Sequence, residues 1–428
     1  VEEPGDGEVA EVTQTAKSEI PLLVSLQMFI FATSKRVRRI FLYGVAAILA
    51  SLLLAAVFTF CGSVECVLKT RMTTELDELT PIVWPEFSSP TSPRISVIRG
   101  SGPRDLGSFG KCCVLAFDDG GDDIDSYVLV FSTPKHLGQF TGSFKCSSND
   151  DDFTVHLEGQ SIIFVSIMPA MTHSAKGTLF YLAGMDVFSE HELKLLNEAR
   201  RLGWHVVAST VDISFIEPQT LHADLRGIIQ LATRIDSHLA ARAYAVETMM
   251  AFLTEKYPEL MKGPRILVGT SAGAIAAPTV AAKVGNFDAA VLIGGGENIA
   301  RVVLTSPLFV QHTTLFKGPT SSKDNAGGEQ VADYETRLAF ASKVLAASRL
   351  DPAKTSGALK RLPVLLVHAR YDKIVPANAG DDLRKSLNFP ERWTYNTGHI
   401  GLMIMMQWKF KQVLAWIDQQ VNKPSRAE

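Results

Sequence analysis

Arg265-Ile266-Leu267-Val268-Gly269-Thr270-Ser271-Ala272-Gly273-Ala274-Ile275-Ala276-Ala277 is the stretch whose reading decides the fold. Ile266, Leu267 and Val268, closed by Gly269, read as the end of a short buried strand. The Ala-rich run after Gly273 reads as a buried helix. Between them stands Gly-x-Ser-x-Gly. A sharp strand-to-helix turn puts Ser271 in strained backbone geometry and brings neighbouring chain close, so Gly269 and Gly273 occupy places where a Cβ would collide. Ala272 and Ala274 are small for the same reason. Such a turn lifts the Ser271 hydroxyl clear of the sheet and aims the first helical amides at one point above it. A plain Gly-rich turn is the competing reading, and the flanking sequence has to decide between them.

Those flanks are regular. FTVHLEGQSIIFVSIMP (153–169) reads as a hairpin turning at Glu158-Gly159-Gln160. A strand over Gly177–Leu182 ends in Ala183-Gly184-Met185-Asp186. Helical spacing follows from Ser189 to Leu202, with Ser189 as N-cap and Glu192 three residues on. Gly203 stops that helix, and Trp204–Ala208 is the next strand. Helical periodicity returns over Leu239–Tyr257. After the Ser271 turn come a strand over Asp288–Ile293, closed by Gly294-Gly295-Gly296-Glu297, then strands over Pro363–His368 and Arg392–Tyr395. A final amphipathic helix covers about Leu402–Val421. Strands alternating with helices predict an α/β fold, a mostly parallel sheet with helices on both faces.

The first 150 residues differ. Residues 1–39 are expected to be a disordered cytoplasmic tail: 1–19 are acidic and polar, Ile20–Phe31 is apolar but too short to span a bilayer, and the basic cluster Lys35-Arg36-Val37-Arg38-Arg39 follows. Ile40 to Cys61 then runs without a charge (IFLYGVAAILASLLLAAVFTFC). That length matches the roughly 20 apolar residues a bilayer core requires. A soluble helix would show a polar face, and this one shows none. The segment is expected to be an uncleaved transmembrane signal anchor over 40–61, with Arg38 and Arg39 on the cytoplasmic side and everything after residue 61 across the membrane. Residues 62–150 are expected to be a linker, rich in proline between Thr80 and Pro103, and a β-rich extension carrying the runs ISVI, CCVLAF and YVLVF. The remaining 151–424 form the main domain.

Composition excludes several function classes. The formal net charge of −3 offers no basic field, so nucleic acid is not an expected partner. The five cysteines, Cys61, Cys66, Cys112, Cys113 and Cys146, fit no zinc spacing. Two acidic stretches, Asp118–Asp123 and Asn149–Asp152, do not match a calcium-loop spacing and read as solvated hairpin ends. No metal and no organic cofactor is expected.

A serine hydroxyl becomes a useful nucleophile when an imidazole takes its proton, and the imidazole needs a carboxylate to fix its tautomer. In a parallel sheet such groups come from loops at the carboxyl ends of strands. After the strand ending at His368 comes Ala369-Arg370-Tyr371-Asp372-Lys373-Ile374-Val375-Pro376, and after the last strand comes Asn396-Thr397-Gly398-His399. The order Ser271, Asp372, His399 is that of one known scaffold. Gly-Thr-Ser-Ala-Gly, the Asp372 loop and Thr-Gly-His together resemble the α/β-hydrolase superfamily over roughly residues 153–424. The resemblance implies a serine esterase or lipase-like enzyme acting on a small-molecule ester or acyl substrate. It implies Ser271 as nucleophile, His399 as base and Asp372 as acid, with Glu297 the rival acid, since some members carry the carboxylate after the preceding strand. It also implies an oxyanion hole from the amides of Met185 and Ala272. Where the family often has His-Gly, this chain has Ala183-Gly184; backbone amides make the hole, so the change does not remove it. The interval of about 298–362 exceeds ordinary connections and is expected to be a helical lid insertion, with helical composition over Leu338–Leu350. Thioesterase or peptidase chemistry would use the same groups. A hydrolase-like fold serving as an inactive binding or scaffold module is the alternative from another class.

Overall fold

The computed structural model describes residues 82–85, 94–99, 104–109, 112–117, 125–132, 141–147, 152–158, 160–184, 190–210, 219–310, 313–317 and 330–423. The segment Ile40–Cys61 lies outside the described residues. Among the described residues no helix is long and apolar enough to cross a membrane.

In chain order the strands are β1 (Arg94–Arg99), β2 (Arg104–Phe109), β3 (Cys112–Phe117), β4 (Asp125–Ser132), β5 (Thr141–Ser147), β6 (Asp152–Glu158), β7 (Gln160–Met168), β8 (Gly177–Leu182), β9 (Trp204–Ser209), β10 (Gln219–His222), β11 (Arg265–Thr270), β12 (Ala289–Ile293), β13 (Thr313–Phe316), β14 (Val364–Ala369) and β15 (Glu391–Tyr395). The helices are α1 (Glu190–Arg201), α2 (Leu225–Lys256), α3 (Ala272–Val284), α4 (Ile299–Thr305), α5 (Tyr334–Ala347), α6 (Pro352–Thr355), α7 (Ala377–Ser386) and α8 (His399–Val421).

The main sheet runs β15-β14-β12-β11-β8-β9-β7-β4-β3-β2. From β15 to β9 every neighbouring pair is parallel. Helical crossovers make this possible: α1 carries the chain from β8 to β9, α3 from β11 to β12, and α7 from β14 to β15. From β9 to β2 every pair is antiparallel. The sheet is therefore parallel on one side of β9 and antiparallel on the other, with a larger antiparallel wing than the sequence pattern led us to expect. Strands from before residue 150 supply most of that wing, so β2–β4 extend the main sheet. The strands flanking each acidic stretch, β3 with β4 and β5 with β6, pair antiparallel, as hairpin ends require.

One expectation fails here. β6 and β7 do not form a hairpin: β6 pairs with β1 and β5, whereas β7 lies between β4 and β9. Alternation in 153–169 marks two strands and an inward face, with Ile163, Val165 and Ile167 buried. It carries no information on which partner each strand takes.

Side chains of the parallel block separate with a period of two into two cores. Phe180, Leu182, Leu267, Ala290, Leu292 and Leu366 face α2, α3, α4, α5 and α7. Leu179, Tyr181, Ile266, Val268, Val291, Val367 and Tyr395 face α1 and α8. Helix α2 begins well before the expected Leu239. Asp224 caps it by accepting the Gly227 N–H, and buried Asp236 on its first half accepts the Ser348 hydroxyl and the N–H groups of Arg349 and Leu350. A polar anchor inside a helix interrupts the apolar period by which such helices are read.

The described part of the 298–362 interval is core material. Val302, Val303, Leu304, Phe340, Ala341 and Val344 join the α2 side of the core. The buried Arg337 guanidinium donates to the carbonyls of Ala332, Leu304 and Thr313. β13 pairs in parallel with β10 as a small separate sheet. Residues 318–329 of this interval lie outside the described residues. Cys112 is buried, and its Sγ lies 3.1 Å from Thr248 Oγ1.

His368, next to last in β14, is only 8% exposed. Burial, aided by the nearby Arg392 charge, pushes its imidazole from 6.5 down to about 4. The folded chain holds it neutral where the unfolded chain binds a proton, so unfolding takes up a proton between about pH 6.5 and 4. Stability should fall as pH drops through that window, by about 3 kcal/mol from this residue. Urea midpoints measured from pH 7 to 4 should decline more steeply for the wild type than for His368→Gln; equal slopes would refute the assignment.

Candidate active site

β11 carries the turn. Ser271 sits at φ 49° and ψ −117°, in the left-handed half of backbone space that a side chain rarely adopts. Its N–H donates to the Ile293 carbonyl at 2.8 Å, so the ladder to β12 continues one residue past the strand. Helix α3 starts at the next residue. The glycines are accounted for by close approach. A Cβ on Gly273 would lie 2.0 Å from the Leu182 carbonyl oxygen, and one on Gly269 would lie 2.6 Å from the Gly273 backbone. The strained serine is over-determined by β8 on one side and by the first turn of α3 on the other.

Two further loops leave the same edge of the sheet. After β14, Asp372 turns back so that its Oδ1 accepts the N–H groups of Ile374 and Val375, both at 2.9 Å. Its Oδ2 lies 2.7 Å from His399 Nδ1. After β15, His399 is the first residue of α8, three residues earlier than the pattern placed the start of regular apolar spacing. The Arg370 N–H donates to the Tyr395 carbonyl and the Tyr371 N–H to that of Thr397, which binds the two loops side by side. His399 Nε2 lies 2.9 Å from Ser271 Oγ. Side chains of His399 and Asp372 are 6% and 4% exposed.

An ionised carboxylate can only accept, so Nδ1 of His399 donates and Nε2 of the neutral ring accepts the Ser271 hydroxyl. Hydroxyl, imidazole and carboxylate thus form one hydrogen-bonded series, with the serine at the open end. Glu297 is not part of it. Its N–H donates to the Ala379 carbonyl, and burial first, against a hydrogen bond from Ser386, pushes its carboxyl above the ordinary range. Those contacts lie beside α7, and the carboxylate within hydrogen-bond distance of His399 Nδ1 is that of Asp372. Ala272 opens α3 next to Ser271. Met185 lies outside the described residues.

A polar network beneath the turn was not legible in the pattern of residues. Glu192 Oε1 accepts the Gly184 N–H at 3.2 Å and lies 2.9 Å from the Tyr181 hydroxyl and 3.1 Å from that of Thr270. Burial, followed by the Glu192 charge, raises the Tyr181 phenol well above its ordinary value, so it stays protonated and donates. Across the sheet, Arg242 of α2 is buried and donates from Nη2 to the Ala183 carbonyl at 2.6 Å. Burial pushes its guanidinium down to about 9, opposed by Glu192 and then Tyr181, and it remains charged at neutral pH. Glu192 was legible only as the fourth member of a Ser189-x-x-Glu192 helix start. Arg242 stood in a helix pattern with nothing to mark it. Among the described residues no cluster of His, Cys, Asp and Glu could hold a metal ion.

No protein-family model matches this chain, and no curated protein matches it in sequence. Among solved structures it is similar to Est1E from Butyrivibrio proteoclasticus, at 15% identity over 66% of this chain and 100% of that one, with a TM-score of 0.39. It is similar to the Pyrococcus furiosus esterase Pf2001 at 13% identity, covering 67% of this chain and 92% of that one, with a TM-score of 0.40. A cold-adapted esterase from an Arctic intertidal metagenomic library gives 11% identity, 72% and 97% coverage, and a TM-score of 0.41. At these scores the likeness carries no argument, and the chemistry of the site rests on its own geometry.

Gly273→Ala tests the close approach. The added methyl must displace the end of β8, and the variant should lose about 3 kcal/mol of stability, read as a lowered urea midpoint. An unchanged midpoint would mean that β8 and α3 are not in contact.

Proposed function

We propose that this chain is a serine hydrolase that cleaves a carboxylic ester by acyl transfer and is held at a membrane by residues 40–61. The observation that carries the reading is the unbroken series from Ser271 Oγ through His399 to Asp372, at 2.9 and 2.7 Å, on a turn that holds the serine in strained geometry.

The steps follow from those atoms. His399 Nε2 takes the hydroxyl proton as Ser271 Oγ bonds to the ester carbonyl carbon. The carbonyl electron pair moves onto oxygen, where the amides of Ala272 and Met185 hold the negative charge. Asp372, fixed by two backbone N–H groups, stabilises the imidazolium. Collapse of the tetrahedral species expels the alcohol, which takes its proton from Nε2 and leaves an acyl-serine. Water then gives a proton to His399 and attacks the acyl carbon; collapse of the second tetrahedral species releases the acid as Ser271 Oγ takes that proton back from Nε2. An ester is the simplest substrate for this set; a thioester or amide would pass through the same steps. An inactive scaffold has no physical need for three groups in hydrogen-bonding register.

Ser271→Ala should abolish both fluorophosphonate labelling and hydrolysis of a panel of p-nitrophenyl esters of graded chain length. Asp372→Asn should lower kcat by about 10,000-fold, because the amide no longer selects the productive tautomer. Glu297→Gln should leave kcat unchanged. A well-folded wild-type protein that takes up no probe would refute the enzyme reading.

In the topology proposed, Arg38 and Arg39 stay in the cytoplasm and the catalytic domain lies across the membrane. Protease added to the cytoplasmic face of sealed vesicles should spare the domain. Its digestion there would reverse the orientation.

A further inference from the structure

We infer that the outward face of the first turns of α8 docks on an anionic lipid–water interface, from which Ser271 takes an ester dissolved in the lipid. The inference rests on the hydrolase reading above and adds to it the phase that holds the substrate.

Two sides of α8 are accounted for. Leu402, Met405, Met406, Phe410, Val413 and Leu414 enter the core on its side of the sheet. Toward α1, Gln407 Nε2 lies 2.6 Å from His191 Nδ1, and Lys411 Nζ lies 3.1 Å from Glu198. The side left over is a solvent-facing stripe that recurs at helical spacing. Such a stripe is ordinarily polar. From Lys411 onward this one is polar or small, with Gln412, Ala415 and Gln419 exposed. Before Lys411 it is wholly apolar: Ile400, Ile404 and Trp408 are 62%, 38% and 57% exposed.

The apolar half starts at the reacting centre. Ile400 follows His399, whose Nε2 lies 2.9 Å from Ser271 Oγ. The helix carries the stripe from there about 12 Å to Trp408. Tyr371, 62% exposed, adjoins the same end. Its N–H donates to the Thr397 carbonyl, and a Cβ on Gly398 would lie 3.6 Å from the Tyr371 carbonyl oxygen. Whatever covers this half of α8 therefore lies beside the base that takes the serine proton.

The chemistry of the surround selects the occupant. Arg370 and Lys373 flank Tyr371 and are exposed, whereas the side chain of Asp372, the acid of that loop, is buried. α8 has no acid before Asp418, which Lys176 engages at 2.7 Å. Aromatic side chains at both ends, aliphatic ones between them and cations alongside match the headgroup boundary of a bilayer that carries negative charge. A second copy of the chain fits less well. A stable complex covers roughly 800 Å² on each partner. An aromatic side chain supplies about 150–250 Å² when wholly covered, so four partly exposed side chains fall short.

The test uses the full chain reconstituted in phosphatidylcholine vesicles, with or without phosphatidylglycerol, and two esters. p-Nitrophenyl acetate is supplied in the water and p-nitrophenyl palmitate in the bilayer. With phosphatidylglycerol present, the Ile400→Ser/Ile404→Ser/Trp408→Ser variant should keep the wild-type kcat/KM for the acetate and lose about 30-fold for the palmitate. Omitting phosphatidylglycerol should lower the wild-type rate on the palmitate, and Lys373→Gln should narrow that gap. Of the five tryptophans Trp408 is the most exposed. Quenching of tryptophan fluorescence by lipids brominated on their acyl chains should be strong in the wild type and largely absent in Trp408→Phe, a readout that needs no turnover. Equal hydrolysis of the palmitate by wild type and triple variant, or quenching unchanged in Trp408→Phe, would overturn the inference and leave the hydrolase reading intact. A triple variant that dissociates from a wild-type dimer yet hydrolyses the palmitate normally would overturn it in favour of a second copy. A wild type that works equally well on pure phosphatidylcholine would overturn the anionic assignment. A wild type that is quenched but hydrolyses neither ester would remove the hydrolase reading and the substrate half of the inference with it.

Discussion

Everything at the site depends on a shared direction. β8, β11, β12, β14 and β15 run parallel, so their carboxyl ends open on one edge and their loops meet there. Residues 271, 372 and 399 are far apart in the chain, and no local interaction could gather them. Parallel pairing does so, because a helix must return the chain to the opposite edge before each strand begins. The small residues follow from this arrangement. With β8 and α3 pressed together at the strand ends, Gly273 has to leave room for the Leu182 carbonyl, and the serine has to accept its strain.

Much of this was legible in the chain. The parallel strands show as short apolar runs closed by glycine or by a polar loop, since each is buried on both faces. Asp372 and His399 were legible because the order of loops is a property of connectivity, which sequence preserves. The pairing of β6 and β7 was not, since alternation in 153–169 specifies a face and leaves the neighbour open. The first half of α2 was also missed. Asp236 and Ser237 are buried there, and a polar residue that spends its hydrogen bonds on a distant turn looks, in sequence, like one facing water.

Glu192 and Arg242 illustrate the same limit beneath the turn. Each bonds to one end of a peptide group that neither is close to in sequence. A hydrogen bond from side chain to distant backbone leaves no pattern of residue types, because any carbonyl or amide can receive it. Residues that react carry recognisable chemistry, whereas residues that hold backbone in place do so from positions that only the fold defines.

The two backbone bonds that join the Asp372 loop to the His399 loop have a mechanical consequence. Acid and base travel as one stiff unit, seated on neighbouring strands and locked to each other, while the serine rides on a different turn. Slow breathing of the sheet edge would therefore stretch the serine–imidazole gap and leave the imidazole–carboxylate contact closed. Looseness in this centre is concentrated in a single separation, the direct hydrogen bond between the Ser271 hydroxyl and the imidazole.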